Sequence, residues 1–348
     1  MIEIFKQFRN KYYDCLTNCN HPYSDENMYH LEGSVWAHTL LVFNSARLAD
    51  ASKTMQITAL LHDVGKPLAE HKKNDRTYFT NHEHLSVVLS INFLLKLFEL
   101  NKINIQELID ILYLIDYHGI LWQKSEKQIK TYFDNKLVKM VKEFSVYDNK
   151  GNLFSDYSRK NEVDVEYVED YFIDYDDNRP ECIILVGVPN SGKSSYIFDK
   201  KYKKLSRDDI LVEYGKDKYN IEKYSDIWKK LTDDDQKEID KLLQNKYKEY
   251  VKNKENFIVD MTNLSIKSRR KWMHNLKNAY NIKTKVFLTD MELIKKRNLE
   301  RSKNEGKEIP YEVLINMAKN LELPLYKEGF CEINIVLNNK YEFTKEKE

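Results

Sequence analysis

The spacing of apolar residues changes along the chain, near Pro180. Before Pro180, apolar side chains recur at three- and four-residue steps, which is typical of amphipathic helices. Turn residues such as Gly33 and Asn101 separate the helical segments. These segments are 36–43, 57–62, 85–100 and 105–117. Strand patterns are almost absent here, so we expect this half to be all-α.

After Pro180, short apolar runs alternate with longer amphipathic segments. This alternation predicts parallel strands joined by crossover helices. The predicted strands are 182–186, 256–261, 284–288 and 332–337. The predicted helices lie near 193–201, 233–252, 266–279, 291–304 and 311–320. Together the two patterns predict an α+β protein with an all-α domain at 1–177 and an α/β domain with a parallel sheet at 178–348.

An acidic stretch at residues 162–177 marks the predicted boundary, and it ends at Asn178-Arg179-Pro180. Aromatic residues within the stretch, among them Tyr167 and Tyr171, favour a helix docked on the protein over a disordered tether.

The charge balance, the cysteines and the lengths of the apolar runs limit the kinds of function that the chain can have. The chain has 56 Lys and Arg against 55 Asp and Glu, so any nucleic-acid contact has to come from local patches. The four cysteines form no CxxC pair, and no apolar run has the length of a membrane span. We therefore expect a cytoplasmic protein with reduced thiols and no membrane partner.

Residues 187–194 read Gly-Val-Pro-Asn-Ser-Gly-Lys-Ser, directly after the predicted strand 182–186. This is the GxxxxGKS pattern of a phosphate-binding loop, whose backbone N–H groups converge on nucleotide phosphates. Lys193 would add a positive charge at the β- and γ-phosphates, and Ser194 would ligate Mg²⁺. The pattern predicts binding of ATP, or of another nucleoside triphosphate, with Mg²⁺. The predicted nucleotide-binding residues are Gly187, Asn190, Ser191, Gly192, Lys193, Ser194 and Ser195.

Segments beyond the loop carry groups that phosphoryl transfer requires. Asp208, in Ser206-Arg207-Asp208, is expected after the second strand, where a carboxylate could accept the proton of an attacking hydroxyl; the same residues could instead cap a helix. Thr262 and Asn263 follow the third strand, at the sheet edge where substrates bind.

Arg297 and Arg301 lie four residues apart on a predicted helix. Such a pair could reach over the phosphates and neutralise developing charge, or it could form a solvated face paired with Glu300 and Glu305. Asp208 together with this pair favours phosphoryl transfer over nucleotide sensing.

Eight of the nine histidines lie in the first 118 residues, which indicates different chemistry in the helical half. The doublet His62-Asp63 ends a predicted helix, and His38 lies one helix earlier. His82 opens the next helix, and His118 closes the one after it. Imidazoles and carboxylates on successive helices are how helical bundles build two-metal sites. A histidine on an apolar helix face is more often a core residue, which we expect of His21, His30 and His71.

These residues resemble the HD phosphohydrolase superfamily over about residues 28–155. The resemblance rests on His38, on His62-Asp63 followed by Val-Gly-Lys-Pro, on His82-Glu83 with Ser86, and on Tyr117-His118. It implies a metal-dependent phosphohydrolase in which Lys66 binds the substrate phosphate.

The resemblance also implies the metal ligands. The primary ligands would be His38, His62, Asp63 and a late Asp, for which we choose Asp148, with Asp134 and Asp156 as alternatives. His82 and His118 would complete a second metal site or a phosphate site, with His84 as an additional candidate. Two divalent ions about 3.5–4 Å apart suit this chemistry. Imidazole and carboxylate ligands suit Mn²⁺, Fe, Co²⁺ or Ni²⁺ better than Mg²⁺.

The half after Pro180 resembles the kinase domain of 5′-OH polynucleotide kinases of the phage and bacterial RNA-repair type, over about residues 182–337. The shared features are Gly-x-Pro-x-Ser-Gly-Lys-Ser, Ser-Arg-Asp-Asp, Thr-Asn-Leu with Arg269-Arg270 shortly after, and Lys-Arg-Asn-x-x-x-Arg. The resemblance implies that Asp208 is the general base. It also places Lys193, Arg297 and Arg301 on the ATP phosphates as catalytic groups.

The chain departs from this family three residues after Asp208. The family usually has an arginine there to hold the phosphate of the nucleic acid, whereas this chain has Leu211. Either the acceptor is not a polynucleotide, or other groups hold it. The candidates are Arg207, Thr262, Asn263, Lys267, Arg269 and Arg270.

An HD phosphohydrolase ahead of such a kinase is the arrangement of HD-domain polynucleotide kinases, which are bifunctional RNA end-healing enzymes. The resemblance implies that the first half removes a 2′,3′-cyclic phosphate or a 2′/3′-phosphate and that the second half phosphorylates a 5′-OH. A separate ligase would then join the RNA or DNA ends. Two alternatives stay open: an ATP-binding switch that gates an HD nucleotidase or nuclease, and a small-molecule kinase fused to an HD phosphohydrolase.

Overall fold

The structure is a computed structural model that describes most of the chain. The described residues are 1–20, 31–73, 76–152, 170–196, 202–305 and 308–347. His21, His30, Asp156 and residues 162–169 of the acidic stretch, which the sequence analysis singles out, lie outside these ranges. Among the described residues, no helix is long and apolar enough to cross a membrane.

The chain divides into two compact units. The helical unit comprises Met1–Tyr171, Ile315–Lys327 and Glu346–Glu348. The sheet unit comprises Phe172–Leu314 and Glu328–Lys345. The division is thus not a single cut near residue 177, because a segment from the second half of the sequence belongs to the helical unit.

The helical unit is built on helices, as the apolar spacing predicts. Its helices are α1 (Ile2–Thr17), α2 (Val35–Leu48), α3 (Lys53–Leu61), α4 (Lys66–Ala69), α5 (His82–Glu99), α6 (Ile105–Tyr117), α7 (Ile120–Gln123), α8 (Glu126–Tyr132) and α9 (Asn135–Gly151). Polar residues fix where several of them begin: the Ser34 and Ser52 side chains accept from backbone N–H groups in the first turns of α2 and α3. A short antiparallel hairpin, β1 (His71–Lys73) with β2 (Arg76–Tyr78), was not predicted.

The segment Ile315–Lys327 is held on α6 by hydrogen bonds from both backbone and side chains. Tyr113 Oη donates to the carbonyl of Pro324 at 2.7 Å, and Tyr117 Oη donates to that of Leu323. The Leu323 N–H in turn donates to Asp116 Oδ2 at 2.8 Å. Because Tyr113, Tyr117 and Asp116 are all buried, these polar groups need partners, and the segment supplies them.

The sheet unit contains a six-stranded sheet and crossover helices. Its strands are β3 (Glu181–Val186), β4 (Lys203–Leu205), β5 (Phe257–Val259), β6 (Asn281–Leu288), β7 (Glu332–Leu337) and β8 (Tyr341–Thr344). Its helices are α10 (Arg207–Tyr219), α11 (Tyr224–Lys230), α12 (Asp233–Lys252), α13 (Ile266–Met273), α14 (Met291–Glu305) and α15 (Tyr311–Ala318), the last of which crosses into the helical unit.

The strand order is β4-β5-β3-β6-β7-β8, and all neighbours are parallel except β7 and β8. This confirms the predicted parallel sheet. Leu185, Ile258, Phe287 and Val336 form one apolar cluster that joins four adjacent strands. The central strand β3 therefore delivers the phosphate-binding loop to the carboxyl edge of the sheet, where open α/β sheets bind ligands.

Several elements differ from the sequence prediction. Helices α10 and α11 and strand β8 were not predicted, and α13 ends at Met273 rather than near residue 279. The predicted helix at 193–201 begins as a 3₁₀ turn, Lys193–Ser195, and residues 197–201 lie outside the described ranges. Residues 170–177 are not helical, so the docked helix predicted there is wrong for these residues.

Arg269 was expected to hold the acceptor, but its side chain is 0% exposed. Its guanidinium donates to both carboxylate oxygens of Glu328, at 2.8 and 2.7 Å, and to the carbonyls of Asn263 and Leu264. Such a buried bidentate pair is a structural element of the unit. Arg269 therefore cannot contact the acceptor in this structure, and the prediction is corrected.

Arg269→Ala should lower the free energy of unfolding of the sheet unit by about 3–5 kcal/mol, because the Glu328 carboxylate would be left buried and unpaired. Arg270→Ala is the matched control, since Arg270 is exposed and its loss should cost no more than about 0.5 kcal/mol. Amide hydrogen exchange in β3 and β6 reports the opening of this unit by itself. Equal exchange rates in the two variants would contradict the structural role of the pair.

Candidate functional sites

Six side chains from five elements of the helical unit line one pocket. They come from α2, the C-terminal end of α3, the first residue of α5, the C-terminal end of α6, and α9. They are His38, His62, Asp63, His82, His118 and Asp148. The structure thus brings together all six residues that the sequence analysis proposed as metal ligands in this half.

Three of the histidines are oriented by their own backbone. His62, His82 and His118 each donate from Nδ1 to the carbonyl oxygen three residues earlier, at 3.1, 2.8 and 2.8 Å. Because a carbonyl can only accept, the proton of each ring lies on Nδ1 and the Nε2 lone pair remains for the pocket. This is the arrangement by which proteins orient histidine ligands of metals.

The ligand atoms form two groups, each within 4.8 Å. In the first, His38 Nε2 lies 3.1 Å from Asp148 Oδ1 and 3.3 Å from His62 Nε2. The second group consists of Asp63, His82 and His118, and His82 Nε2 lies 3.0 Å from Asp63 Oδ1. The other oxygen of Asp63 lies 3.2 Å from His62 Nε2, so this carboxylate reaches both groups.

The donor set fits divalent metal ions. Both oxygens of Asp63 are buried, and neither accepts a hydrogen bond of good geometry from the described residues. Lys66 Nζ lies 2.7 Å from one of them as an ion pair. Buried carboxylate oxygens that lack hydrogen-bond donors need compensating positive charge, which a bound cation would supply. Imidazole and carboxylate ligands are those that Mn²⁺, Fe, Co²⁺ and Ni²⁺ accept.

The pocket shifts the pKa values of its histidines in opposite directions. Burial, together with His62 and His82, lowers the pKa of His118 to about 4, so this ring is neutral at pH 7. Burial alone would also lower the pKa of His38, but the Asp148 and Glu32 carboxylates raise it to about 9. Despite its burial, Asp63 has a pKa well below the usual range, because His62 and Lys66 stabilise the anion.

Two local features keep Asp63 and His82 close. The chain turns at Gly65, whose N–H donates to Ser86 Oγ at 2.9 Å. A Cβ at Gly65 would lie 2.3 Å from the carbonyl oxygen of His82, so no larger residue fits there. This close approach of α4 to α5 places Asp63 and Lys66 beside His82, and it explains the glycine in the Val-Gly-Lys-Pro sequence.

Other candidates from the sequence lie outside the pocket. His84 Nδ1 lies 2.7 Å from Asp116, the residue that also accepts from Leu323. Asp134 caps α9 by accepting from the Leu137 N–H. His71 is exposed on β1, so the prediction that it is a core residue is wrong.

Glu83 and Gln123 also line the pocket, and the sequence analysis did not assign them to it. Gln123 donates from Nε2 to Glu83 Oε1. Glu83 is buried, yet His82 and His118 lower its pKa to about 2. Gln123 lies on the one-turn helix α7 and carries no motif, so only the fold could have revealed it.

In the sheet unit, the phosphate-binding loop follows β3 as predicted. Its Gly187 N–H donates to the carbonyl of Thr262, which ties the loop to the segment after β5. Gly192 has a φ of 98°, and a Cβ there would lie 2.1 Å from the side chain of Asn339. Lys193 Nζ donates to the carbonyls of Gly187 and Val188, at 2.6 and 2.8 Å.

Asp208 is exposed in the first turn of α10, and Ser206 caps this helix by accepting from the Asp209 N–H. Burial lowers the pKa of Lys193 to about 8, and the charges of Asp260 and Asp208 act against this shift. Both carboxylates therefore lie within electrostatic reach of the lysine. Asp260 follows β5 directly and was not assigned a role of its own from the sequence, although a carboxylate at this position is a common Mg²⁺ ligand in phosphate-loop enzymes.

The two arginines of α14 contact the loop. Arg297 donates to the carbonyl of Asn190 and to Asn339 Oδ1, both at 3.1 Å. Arg301 donates to Asn190 Oδ1 at 3.4 Å. Arg297 and Arg301 therefore lie at the mouth of the loop, as a role on the nucleotide phosphates requires.

The residues proposed for acceptor binding differ in burial, and only some of them are exposed to solvent. Asn263 is buried and donates to the carbonyl of Leu185 at 2.8 Å, so it has a structural role like that of Arg269. Leu211 is fully buried. Arg207 is partly exposed and donates from Nε to Asp240 at 2.8 Å, whereas Arg270 is exposed.

Two family models match the chain. Residues 35–146 match the family model of the HD domain, and residues 182–324 match that of an AAA domain. The first range contains five of the six pocket residues and ends just before Asp148. The second contains the phosphate-binding loop, Asp208 and both arginines of α14.

Two solved structures also match the chain. "Structure of the Pnkp1/Rnl/Hen1 RNA repair complex" is 26% identical over 42% of this chain and 46% of that chain, with a TM-score of 0.35. "Structure of Pnkp1/Rnl/Hen1 complex" is 26% identical over 35% and 40% of the two chains, with a TM-score of 0.29. The chain spans less than half the length of either.

The order of the two family matches is the order predicted from the motifs. Residues 35–146 and residues 182–324 thus carry an HD domain followed by an AAA domain.

Proposed function

We propose that this chain heals broken nucleic-acid ends with two activities. The sheet unit phosphorylates a 5′-OH, and the helical unit removes a 2′,3′-cyclic phosphate or a 2′/3′-phosphate. The observation that carries the proposal is the presence in one chain of a phosphate-binding loop with a nearby exposed carboxylate, Asp208, and of a buried histidine and aspartate cluster. A separate ligase would join the ends.

In the sheet unit, Asp208 would accept the proton of the 5′-OH as its oxygen attacks the γ-phosphorus of ATP. The bond from that phosphorus to the β,γ-bridging oxygen breaks, and ADP leaves. Lys193, Arg297 and Arg301 would neutralise the charge on the transferring group. Ser194 and Asp260 would hold Mg²⁺, which supplies positive charge to the phosphates when it is bound.

In the helical unit, the six pocket residues would hold two divalent ions, which supply positive charge that polarises the phosphate when they are bound. Lys66 presents a buried ammonium to the pocket, close to where the substrate phosphate has to lie. Gln123 and Glu83 form a polar wall. The neutral His118 donates its Nδ1 proton to the backbone and keeps Nε2 available.

Phosphoryl transfer is favoured over a pure nucleotide switch by the position of Asp208. Its side chain is exposed and lies within electrostatic reach of Lys193, so an incoming hydroxyl can approach it. A switch needs no such carboxylate. The burial of Leu211 leaves a small-molecule acceptor as the alternative, which a comparison of oligonucleotides and nucleosides as acceptors would test.

Asp63→Ala should abolish removal of the end phosphate and leave 5′ phosphorylation close to the wild-type rate, because Asp63 reaches both ligand groups of the helical unit. Lys193→Ala should do the reverse. Both rates can be measured on one 5′-OH, 3′-phosphate oligonucleotide with ATP and Mn²⁺. If either substitution abolished both activities in a folded protein, the sites would not be independent and the switch hypothesis would be favoured.

Asp208→Ala should lower the rate of 5′ phosphorylation by about 10²–10⁴, as expected for loss of a general base, and leave the ATP KM largely unchanged. Asp209→Ala is the matched control, because Asp209 is the next residue and pairs with Lys204 at 3.1 Å. A rate near that of the wild type in the Asp208 variant, with a large loss in the Asp209 variant, would exchange their roles.

The metal content should depend on the ligand groups in a graded way. We expect two Mn²⁺ ions per chain at the helical unit in equilibrium dialysis with elemental analysis. His82→Ala should remove one ion, and Asp63→Ala should remove both, since the two oxygens of Asp63 reach one group each. His84→Ala should change nothing. Two ions retained in the Asp63 variant would rule out this ligand set.

A further inference from the structure

Helix α11 carries an aromatic pair that no motif predicted. Tyr224 and Trp228 lie four residues apart on the same helix face, with ring centroids 6.1 Å apart and an interplanar angle of 10°. Trp228 is 50% exposed, whereas Tyr224 is partly buried. The pair therefore presents a flat apolar surface whose outer ring faces solvent.

This surface is not what attaches α11 to the unit. Ile227 is fully buried, and it packs where Gly215 of α10 leaves room. A Cβ at Gly215 would lie 2.5 Å from Ile227 Cδ1, so this glycine is required for the close packing of the two helices. Since Ile227 provides the anchor, the half-exposed indole of Trp228 needs another explanation.

The pair lies beside the proposed general base. Tyr224 Oη donates to Asp208 Oδ1 at 3.2 Å. Burial and the charge of Asp208 raise the pKa of Tyr224 to about 12, so the hydroxyl stays protonated and remains a donor at neutral pH. Arg207 and Arg301 lie within electrostatic reach of the same ring. The aromatic surface thus borders the position where the acceptor hydroxyl has to lie.

Charged residues of both signs flank the aromatic pair, and Asp226 of α11 lies 3.9 Å from Lys229. Lys223 precedes α11, and Lys229 and Lys230 form its last turn; all three are exposed. An aromatic face next to lysines is the combination with which proteins bind single-stranded nucleic acid, since the ring stacks on a base and the ammonium groups pair with phosphates. A small acceptor without a base would use neither.

We propose that Tyr224 and Trp228 form a stacking platform for the 5′-terminal base of the nucleic acid whose hydroxyl Asp208 deprotonates. The proposal rests on the proposed kinase function and specifies its acceptor as a nucleic-acid end. Stacking on Trp228 positions the terminal nucleoside, and Lys229 and Lys230 contact the phosphates that follow. Because π-stacking accepts any base, the platform selects a nucleic-acid end without selecting its sequence.

The platform also accounts for the absence of an arginine at position 211. Leu211 is fully buried in α10 and cannot reach an acceptor phosphate. Arg269, another candidate for holding the acceptor phosphate, is buried in an ion pair with Glu328. Stacking of the terminal base supplies affinity that does not depend on a single phosphate contact.

The test combines a change in the protein with a matching change in the substrate. Two 5′-OH oligonucleotides carry a fluorophore at the 3′ end, and they differ only in whether the 5′-terminal nucleotide has a base or is abasic. Binding to the full chain is measured by anisotropy without ATP, and phosphorylation is measured separately. The variants are Trp228→Ala, Trp228→Phe and, as a stacked aromatic control on β8, Phe343→Ala.

The wild type should bind the abasic oligonucleotide about tenfold more weakly, as the loss of one base stack implies. Trp228→Ala should bind the intact oligonucleotide about tenfold more weakly than the wild type does. Its affinity for the abasic oligonucleotide should equal that of the wild type. Trp228→Phe and Phe343→Ala should behave like the wild type, and the ATP KM should not change in any variant.

Equal binding of the two oligonucleotides by the wild type would overturn the platform. So would an equal loss on both in Trp228→Ala, which would assign Trp228 to packing of α11. If neither oligonucleotide is phosphorylated, the proposed kinase function fails. The binding comparison still decides the platform in that case, because it requires no turnover.

Discussion

The site in the helical unit depends on one carboxylate, that of Asp63, being placed where two groups of histidines can share it. A helix normally directs consecutive side chains apart, so the doublet His62-Asp63 can serve one pocket only because α3 ends at this point. Gly65 then lets the chain approach the start of α5, and His82 comes within 3.0 Å of the free side of Asp63. A bulkier residue at position 65 would separate the two groups and with them the proposed pair of metal ions.

The two candidate sites differ in how accessible their residues are to solvent. In the helical unit the proposed ligands are largely buried, and three of the histidines are oriented by backbone carbonyls, which suits ions that have to stay in place. In the sheet unit the side chain of Asp208 is exposed, and the ammonium group of Lys193 donates to carbonyls of the phosphate-binding loop. That suits substrates that have to enter and leave. The difference follows from architecture, because a helical bundle can enclose a site whereas the carboxyl edge of an open sheet cannot.

Much of both sites could be predicted from the sequence, because their residues occur in short motifs. The phosphate-binding loop and the His62-Asp63 doublet are local patterns, and Asp148 could be chosen because it follows the apolar residues of one helix. Arg269 was assigned wrongly for a physical reason: its burial depends on Glu328, which lies 59 residues later in the chain. The pair of Tyr224 and Trp228 was missed because α11 is short and largely polar, so that its apolar spacing is weak.

The attachment of Ile315–Lys327 to α6 has a consequence for how the protein matures on the ribosome. The buried hydroxyls of Tyr113 and Tyr117 donate to this segment, and the carboxylate of Asp116 accepts from it and pairs with His84. The helical unit is therefore unfinished when its own 171 N-terminal residues have emerged. Its final form waits until residue 327 has been translated, so a gene fragment that ends near residue 177 would encode an incomplete helical unit.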